Sequence, residues 1–374
     1  MKLTSAGESH GKALIGIIEG LPSNLKISVD EINRELALRQ SGYGRGARQK
    51  IEKDKVEIIS GVRNGLTLGS PLTFAIKNAD YENWQNVMSP ESADTSLRTL
   101  TAVRPGHADL TGVIKYDQTD ARNILERASA RETAVRVVAG SLAKQYLAAL
   151  GVSIAGYVKS VCGVTDEKEY KFYDLASAKN NPLFMLDSNK ENEAVKLIDE
   201  LKTEGNTAGG IVEVRVNGLK SGFGSCMTYA DKLDAKIAFA VMSVQAIKGV
   251  EIGLGFKAAD MRGSAVHDEI YYNNGFCRKT NNAGGIEGGM SNGEDIIVRA
   301  AMKPIPTLMK GLNTVDYLTL QPVKAAGERS DVAAICAAEI VVESAVAFAV
   351  AEVVSARLSG DNMREVTERY NSLR

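Results

Sequence analysis

Two of the three histidines in this chain lie in short segments of small residues. His10 is part of residues 7–11 (GESHG), and His107 is part of residues 104–109 (RPGHAD). Glycine lets a ligand approach the backbone closely, and histidine exchanges protons near neutral pH. Either segment alone is also typical of an ordinary loop, but the pair indicates general acid–base chemistry. The third histidine, His267, has no glycine-rich surroundings and is predicted to be structural or exposed.

Basic residues in and beside a glycine-rich segment indicate a local binding site for anions. Residues 41–50 (SGYGRGARQK) lack any hydrophobic period and predict a flexible loop that carries Arg45 and Arg48, while Arg39 ends the helix before it. The whole chain has 45 basic and 46 acidic residues, so there is no overall charge that would attract an anion. Any anion site must therefore be built locally.

A second group of cations lies at a predicted helix start. Ser129 and Glu132 have the spacing of a capping box, which predicts a helix that opens there. Arg127 and Arg131 would lie at the positive end of its dipole, where each cation costs about 0.3–1 kcal/mol. Glu126 or Glu132 could compensate, and so could a phosphate or carboxylate bound to the free N–H groups of the helix. The local sequence favours neither alternative.

Three later segments also allow a structural and a functional interpretation. Residues 284–293 contain five glycines, which predict either a set of tight turns or a backbone that lies against a ligand. They do not have the spacing of a phosphate-binding P-loop. Residues 303–307 (KPIPT) follow a predicted strand at 296–301 and would hold a lysine and a threonine in a pose suited to phosphate, although a lysine there is often only solvated. Ser330 or Asp331 is predicted to be the N-cap of the helix from Val332, and Asp331 could also act as a base.

The periodicity of apolar residues predicts a mixed α+β fold. The predicted helices are 29–40, from Ser129 to Gly151, about 192–204, about 230–247, and the apolar stretch from Val332 to Val354. The predicted strands are 56–59, 72–76, 211–216 and 296–301. Helices and strands do not alternate strictly, so antiparallel sheets packed on long helices are favoured over a doubly wound parallel sheet. Without a clear linker, residues 1–374 are predicted to form a single domain.

Composition excludes several classes of protein. The net charge of −1 argues against a nucleic-acid or membrane-surface partner. Four scattered cysteines and three histidines support neither a disulfide framework nor a metal site. The first residues lack the apolar run of a signal peptide, and the stretch from Val332 to Val354 carries three glutamates, which favours a buried core helix over a membrane span. A cytoplasmic location is predicted.

Seven spaced motifs occur in one order along the chain. They are GESHG at 7–11, GYGRGARQKIEKD at 42–54, RPGHAD at 104–109, RASARET at 127–133, NNAGGIEGGMSNG at 281–293, KPIPT at 303–307 and ERSD at 328–331. Together they resemble the chorismate synthase family. The resemblance implies a homotetramer of sandwiched antiparallel sheets and helices. It also implies a lyase that carries out the last step of the shikimate pathway to aromatic amino acids. Its substrate would be 5-enolpyruvylshikimate 3-phosphate, and the reaction a 1,4-anti elimination of phosphate to give chorismate. Reduced FMN would be required but not consumed.

The resemblance also implies roles for individual residues. His10 would protonate the departing phosphate, His107 would keep the reduced flavin in its working protonation state, Asp331 would be the base, and Ser9 and Ser129 would relay protons. The expected flavin contacts are Arg127, Ala128, Ser129, Gln245, Ala246, Gly288, Lys303, Pro304, Ile305, Pro306, Thr307 and Arg329. The arginines expected to bind the anionic groups of the substrate or of NADP are Arg39, Arg45, Arg48, Arg104 and Arg131.

Two other functions are compatible with single segments. An NAD(P)H-dependent flavin reductase would use the same FMN site and consume NAD(P)H stoichiometrically. An RNA-binding protein would use the basic loop at 41–50, but the near-zero net charge and the aromatic content of 6% argue against it. The sequence leaves open whether the protein reduces its flavin with NADPH or depends on a separate flavin reductase.

Overall fold

The computed structural model describes residues 1–46, 53–325 and 331–373. The strands in these ranges are β1 (Lys2–Ala6), β2 (Ala13–Glu19), β3 (Val56–Ser60), β4 (Val62–Arg63), β5 (Leu66–Thr67), β6 (Leu72–Lys77), β7 (Ser153–Val161), β8 (Val164–Thr165), β9 (Gly210–Asn217), β10 (Ile247–Ile252), β11 (Ile270–Tyr272), β12 (Phe276–Arg278), β13 (Ile286–Glu287), β14 (Met290–Ser291), β15 (Ile296–Met302), β16 (Asn313–Val315) and β17 (Pro322–Lys324). The α-helices are α1 (Val29–Gln40), α2 (Gln85–Met88), α3 (Asp109–Tyr116), α4 (Arg122–Ala128), α5 (Thr133–Ala148), α6 (Ser188–Thr203), α7 (Leu233–Met242), α8 (Gly263–Val266), α9 (Ile335–Leu358) and α10 (Met363–Ser372).

Two antiparallel sheets enclose a layer of helices. One sheet has the strand order β1-β2-β6-β3 and the other β10-β15-β9-β7-β8. Helices α1, α5 and α9 pack against one another, α5 contacts β2 of the first sheet, and α9 contacts β7 and β9 of the second. The mixed α+β class with antiparallel sheets packed on long helices is therefore confirmed.

The alternation of side chains along the strands explains why each sheet turns one face to the helices. In β15 the side chains of Ile296, Val298 and Ala300 are buried, while the residues between them are less so. A strand with this period of two buries one face. Central helix α9 is instead buried on almost every side, as expected for a helix between two sheets. The prediction of a core helix for this apolar stretch is confirmed, and none of the described helices has the length and apolarity to cross a membrane.

Several predicted boundaries differ from the structure. The helix predicted to begin at Ser129 begins at Thr133, after a single 3-10 turn at Ala130–Glu132. The helix predicted for 230–247 is the shorter α7, because the chain enters β10 at Ile247. The predicted strands at 56–59, 72–76, 211–216 and 296–301 are confirmed as β3, β6, β9 and β15. His267 is exposed, as predicted.

A buried group of charges joins the three central helices. Lys144 on α5 lies 2.6 Å from Glu35 on α1 and 2.5 Å from Glu343 on α9. Lys179 lies 3.3 Å from Glu343 and forms a second, closer ion pair with Glu339. Burial raises the pKa of Glu339 to about 8, with Lys179 opposing the shift and Glu343 adding to it. A protonated Glu339 would balance two cations with two anions.

We expect Glu339→Gln to remove a pH-dependent loss of stability. A carboxyl whose folded pKa lies above its unfolded value stabilises fully below the unfolded pKa, and this stabilisation is lost as pH rises through the folded pKa. Between pH 6 and 9 the wild type should thus lose on the order of 2–3 kcal/mol relative to the variant. Urea unfolding at these two pH values measures the free energy of unfolding of the wild type and the variant, with Glu352→Gln on the same helix as control. Parallel pH profiles for all three proteins would contradict this charge assignment.

Candidate active site

Segments distant in sequence line one cavity of about 600 Å³ beside the start of α9. This volume lies within the range of small-molecule sites. The predicted site residues that line it are Ser9, His10, Arg39, Arg45, Arg104, His107, Ala128, Ser129, Arg131, Gln245, Ala246, Lys303, Ile305, Pro306, Thr307 and Asp331. Sequence reasoning did not single out Gln40, Thr133 or Lys248, which line the same cavity. In the described chain, no group of three or more His, Cys, Asp or Glu side chains could hold a metal ion.

Some predicted residues lie elsewhere. Arg48 and Arg329 fall outside the described residues, and Pro304 is not part of the cavity wall. Arg127 lies in the last turn of α4 and donates to the backbone oxygens of residues 5 and 7. It is therefore at the end of a helix that favours a cation and not, as predicted, at the end that disfavours one. Gly288 lies in the turn between β13 and β14, away from the cavity of this single chain, and its positive φ of 57° explains why glycine occurs there.

His10 is held by a partner from α4. Its Nδ1 lies 2.8 Å from Oε1 of Glu126, and its backbone N–H donates to Oε2 of the same carboxylate at 2.7 Å. The ring also stacks on Trp84, with 3.8 Å between the ring centroids. Beside it, the hydroxyl of Ser129 donates to that of Ser9 at 3.2 Å. From the sequence, Glu126 was predicted only to compensate the charges of Arg127 and Arg131, and no role was predicted for Trp84, the only tryptophan in the chain.

His107 has a different kind of partner. Its Nδ1 lies 2.5 Å from Oδ1 of Asp109, which also accepts from Nη2 of Arg104 at 3.0 Å. The other oxygen of Asp109 accepts from Nε of Arg104 at 2.8 Å. Burial opposes ionisation, yet the hydrogen bonds from His107 and Arg104 hold the pKa of Asp109 well below its usual range. The short RPGHAD turn thus builds a complete His–carboxylate–arginine group.

Two buried arginines share one carboxylate at the base of the cavity. Arg131 donates from Nη1 to both oxygens of Asp54, at 2.6 and 2.7 Å, and Arg39 donates from Nη2 at 2.8 Å. Asp54 is fully buried on its side-chain atoms, and although burial opposes it, Arg39 and Arg131 lower its pKa. Asp54, a residue of the predicted GYGRGARQKIEKD motif that had no assigned role, is therefore the anion that compensates Arg131. Of the two alternatives drawn from a helix start at Ser129, Glu132 pairs with Arg136, and a bound anion at Arg131 stays a prediction.

The site nevertheless has more cations than anions. Burial lowers the pKa of Arg39, with Asp54 opposing and the nearby charges of Arg131 and Arg45 adding to the shift. Within the described chain, the Nε atoms of Arg39 and Arg45 and Oε1 of Gln245 are buried without a hydrogen-bond partner. Buried polar groups normally have partners. These atoms are consistent with a polar, anionic ligand.

Asp331 is not the helix cap that the sequence predicted. Helix α9 begins at Ile335. Oδ1 of Asp331 instead accepts the backbone N–H of Gly46 at 2.5 Å, and Oδ2 pairs with Nη1 of Arg45 at 3.0 Å. Asp331 therefore connects the segment before α9 to the loop after α1, on the cavity wall.

The KPIPT segment forms the opposite rim. The backbone N–H of Lys303 donates to the oxygen of Ala246, and its ammonium contacts the backbone oxygen of Gly106. Thr207 donates its hydroxyl to the oxygen of Ile305 at 2.8 Å. Burial and the charge of Lys248 lower the pKa of Lys303. The segment is thus fixed on both sides, with two cationic lysines at the cavity.

Comparison with known proteins agrees with this geometry. The family model described as chorismate synthase matches residues 1–354. The chain belongs to the chorismate synthase family. Chorismate synthases from Caldicellulosiruptor saccharolyticus and Geobacter sulfurreducens are 50% and 51% identical to it, covering 100% and 99% of this chain and 99% and 97% of their own.

A solved structure described as a crystal structure of chorismate synthase superposes with a TM-score of 0.79 at 39% identity, covering 99% of this chain and 96% of its own. The resemblance inferred from the seven motifs is confirmed. As a member of the chorismate synthase family, the chain is an enzyme, a lyase of the shikimate pathway.

Proposed function

We propose that the cavity binds 5-enolpyruvylshikimate 3-phosphate together with reduced FMN and catalyses the 1,4-anti elimination of phosphate to give chorismate. The observation that carries the proposal is the convergence of two His–carboxylate pairs and several arginines on one cavity. Substrate and flavin together carry two carboxylates and two phosphates, whose mutual repulsion requires such a cluster.

The residues present fit a flavin. The cavity wall combines apolar atoms of Ala128, Ala246 and Ile305 with the unpartnered Oε1 of Gln245 and the ammonium of Lys303. Ligand sites typically pair an apolar wall with a few convergent polar groups. We assign these residues, with Ser129, Pro306 and Thr307, to the flavin. When bound, the reduced flavin supplies electron density that makes loss of phosphate easier without net oxidation.

The protein groups supply the binding and the proton transfers. Arg39, Arg45, Arg104 and Arg131 bind the anionic groups of the substrate. His10 is the acid for the departing phosphate, and Asp331 is the acceptor for the proton lost from C6. His107, fixed by Asp109, maintains the protonation of the cofactor, and the contact between Ser9 and Ser129 beside His10 provides a proton relay.

We expect turnover only with reduced FMN and no consumption of flavin, because the elimination has no net redox change. The assay is anaerobic, with the enolpyruvyl ester, photoreduced FMN and no NADPH, and it measures chorismate and phosphate. Release of both products in equal amounts at constant reduced flavin supports the proposal. Turnover with oxidised FMN and no reductant, or stoichiometric loss of reduced flavin, would contradict it.

The same assay with NADPH and oxidised FMN decides whether the protein reduces its own flavin or depends on a separate reductase.

We also propose that the protein is a homotetramer and that it is located in the cytoplasm. Exposed aromatic side chains, such as Phe239, Phe256 and Phe276, support further association.

A further inference from the structure

The carboxylate of Glu126 binds His10 in a way that only a carboxylate permits. It receives two donors of the same residue: the backbone N–H at Oε2, and Nδ1, which lies 2.8 Å from Oε1 and 3.0 Å from Oε2. Its side chain is 1% exposed. A glutamine would offer one acceptor oxygen and place an N–H₂ donor opposite the second donor. The ionised oxygens therefore determine which ring nitrogen of His10 carries a proton.

The remaining contacts of His10 restrict its position. The backbone oxygen of Glu126 accepts the N–H of Ser9 at 2.8 Å, so the loop is attached to α4 at two successive residues. The ring of Trp84 lies parallel to the imidazole within 18°, and the guanidinium of Arg98 lies 3.8 Å from the centroid of Trp84. His10 and Arg98 are both too close to the indole centroid to share one face of the ring, so they stack on opposite faces of Trp84. With Nδ1 engaged by Glu126, Nε2 is the nitrogen that can serve a ligand.

Glu126 is the carboxylate beside His10 in a cavity lined mainly by cations. Among the described residues, the cations that line the same cavity as His10 are Arg39, Arg45, Arg104, Arg131, Lys248 and Lys303. Glu126 is the anion in direct contact with His10. Asp109 pairs with Arg104 through both oxygens, whereas the arginine paired with Glu126, Arg122, lies at 3.6 Å.

We propose that Glu126 is a positioning residue that fixes the Nδ1–H tautomer of His10 and stabilises its cation, with Trp84 holding the plane of the ring. The role in catalysis rests on the proposed function, because His10 must deliver a proton from Nε2 to the departing phosphate. The role in tautomer selection does not, and can be measured without substrate.

The test is ¹⁵N NMR of the histidine rings in full-length protein, which has only three histidines to assign. In the wild type, neutral His10 should carry its proton on Nδ1. In Glu126→Gln the Nε2–H tautomer should appear, because the amide N–H₂ would donate where Nδ1–H now donates. With substrate and reduced FMN, the variant should lose roughly 100-fold or more in kcat while KM changes by less than about 3-fold.

Glu191→Gln is the matched control, because Glu191 is a buried carboxylate that accepts the N–H of Leu183 and lies outside the cavity. It should leave the His10 spectrum and kcat unchanged. A wild-type His10 that is neutral as the Nε2–H tautomer overturns the proposal even if the Glu126 variant does not fold. So does a Glu126→Gln spectrum identical to the wild type. A wild type without turnover contradicts only the proposed function, since the NMR comparison still decides the role of Glu126.

Discussion

Replacing Asp54 with asparagine is expected to destabilise the ligand-free protein by about 3–5 kcal/mol, since it leaves two buried arginines without their shared anion. The substitution preserves shape, so the loss reports charge and hydrogen bonding and not a cavity. Arg131 would lose its bidentate partner, and Arg39 its ion pair. Thermal denaturation should show a decrease in Tm of roughly 4–6 °C.

The pH dependence of the Asp54 effect has a definite sign. The pKa of Asp54 is lower in the folded protein than its ordinary value. Such a group contributes stability that is present above the unfolded pKa and lost as pH falls through the folded one. The difference between wild type and Asp54→Asn should therefore be constant at neutral pH and shrink in acid.

Asp187→Asn provides the control for Asp54. Asp187 also forms an ion pair, but its partner Lys168 is 62% exposed, and exposed pairs contribute only about 0–1 kcal/mol. Asn also caps a helix about as well as Asp, so the N-cap of α6 should survive. Equal Tm values for the two variants would show that the arginines do not depend on Asp54.

Inorganic phosphate supplies a second measurement on the same variant. Arg39 and Arg131 line the cavity, so an anion there can take over part of the role of Asp54. Added phosphate should raise the Tm of Asp54→Asn more than that of the wild type, because ligands that bind only the folded state stabilise by mass action. An equal increase would mean that phosphate does not reach the arginine pair.

The sequence predicts local structure well where one periodicity dominates. Strand β15 alternates buried and less buried residues over its whole length, and the helix predicted for 29–40 is α1, capped by Ser28, which accepts from the N–H of Glu31. Motifs also predicted most of the cavity wall, because each is a contiguous segment that carries its own turn. The His107 group is complete within six residues for this reason.

The sequence could not predict partners that the fold brings together from a distance. Glu126 reaches His10 across 116 residues, and Asp54 reaches Arg131 across 77. The same long-range contacts explain the wrong predictions. Ser129 caps a single 3-10 turn before α5 begins, and Asp331 uses its carboxylate on Arg45 and Gly46 and not on the end of α9. Local capping patterns cannot reveal such competing partners.

Asp331→Asn is expected to lower turnover by roughly 100-fold or more, if the carboxylate is the proton acceptor. Asparagine can still accept the N–H of Gly46, but it loses the ion pair with Arg45, so stability should fall by only about 1–2 kcal/mol. Because the residue does not cap α9, alanine should not add a further loss from capping. Single-turnover decay with reduced FMN, alongside thermal melts, measures both effects.

The ion pair with Arg45 raises a second explanation, in which Asp331 only holds that arginine for the substrate. A double-mutant cycle separates the two, since residues that act through one contact are not additive. If Asp331 acts only through Arg45, Asp331→Asn should have no further effect on turnover in an Arg45→Ala background. If it accepts the proton, it should lower turnover by a similar factor in both backgrounds, while Arg45→Ala alone acts mainly on KM. We expect the second result, because Asp331 lines the cavity and its Oδ1 accepts from the neutral backbone N–H of Gly46, while Arg45 pairs with Oδ2.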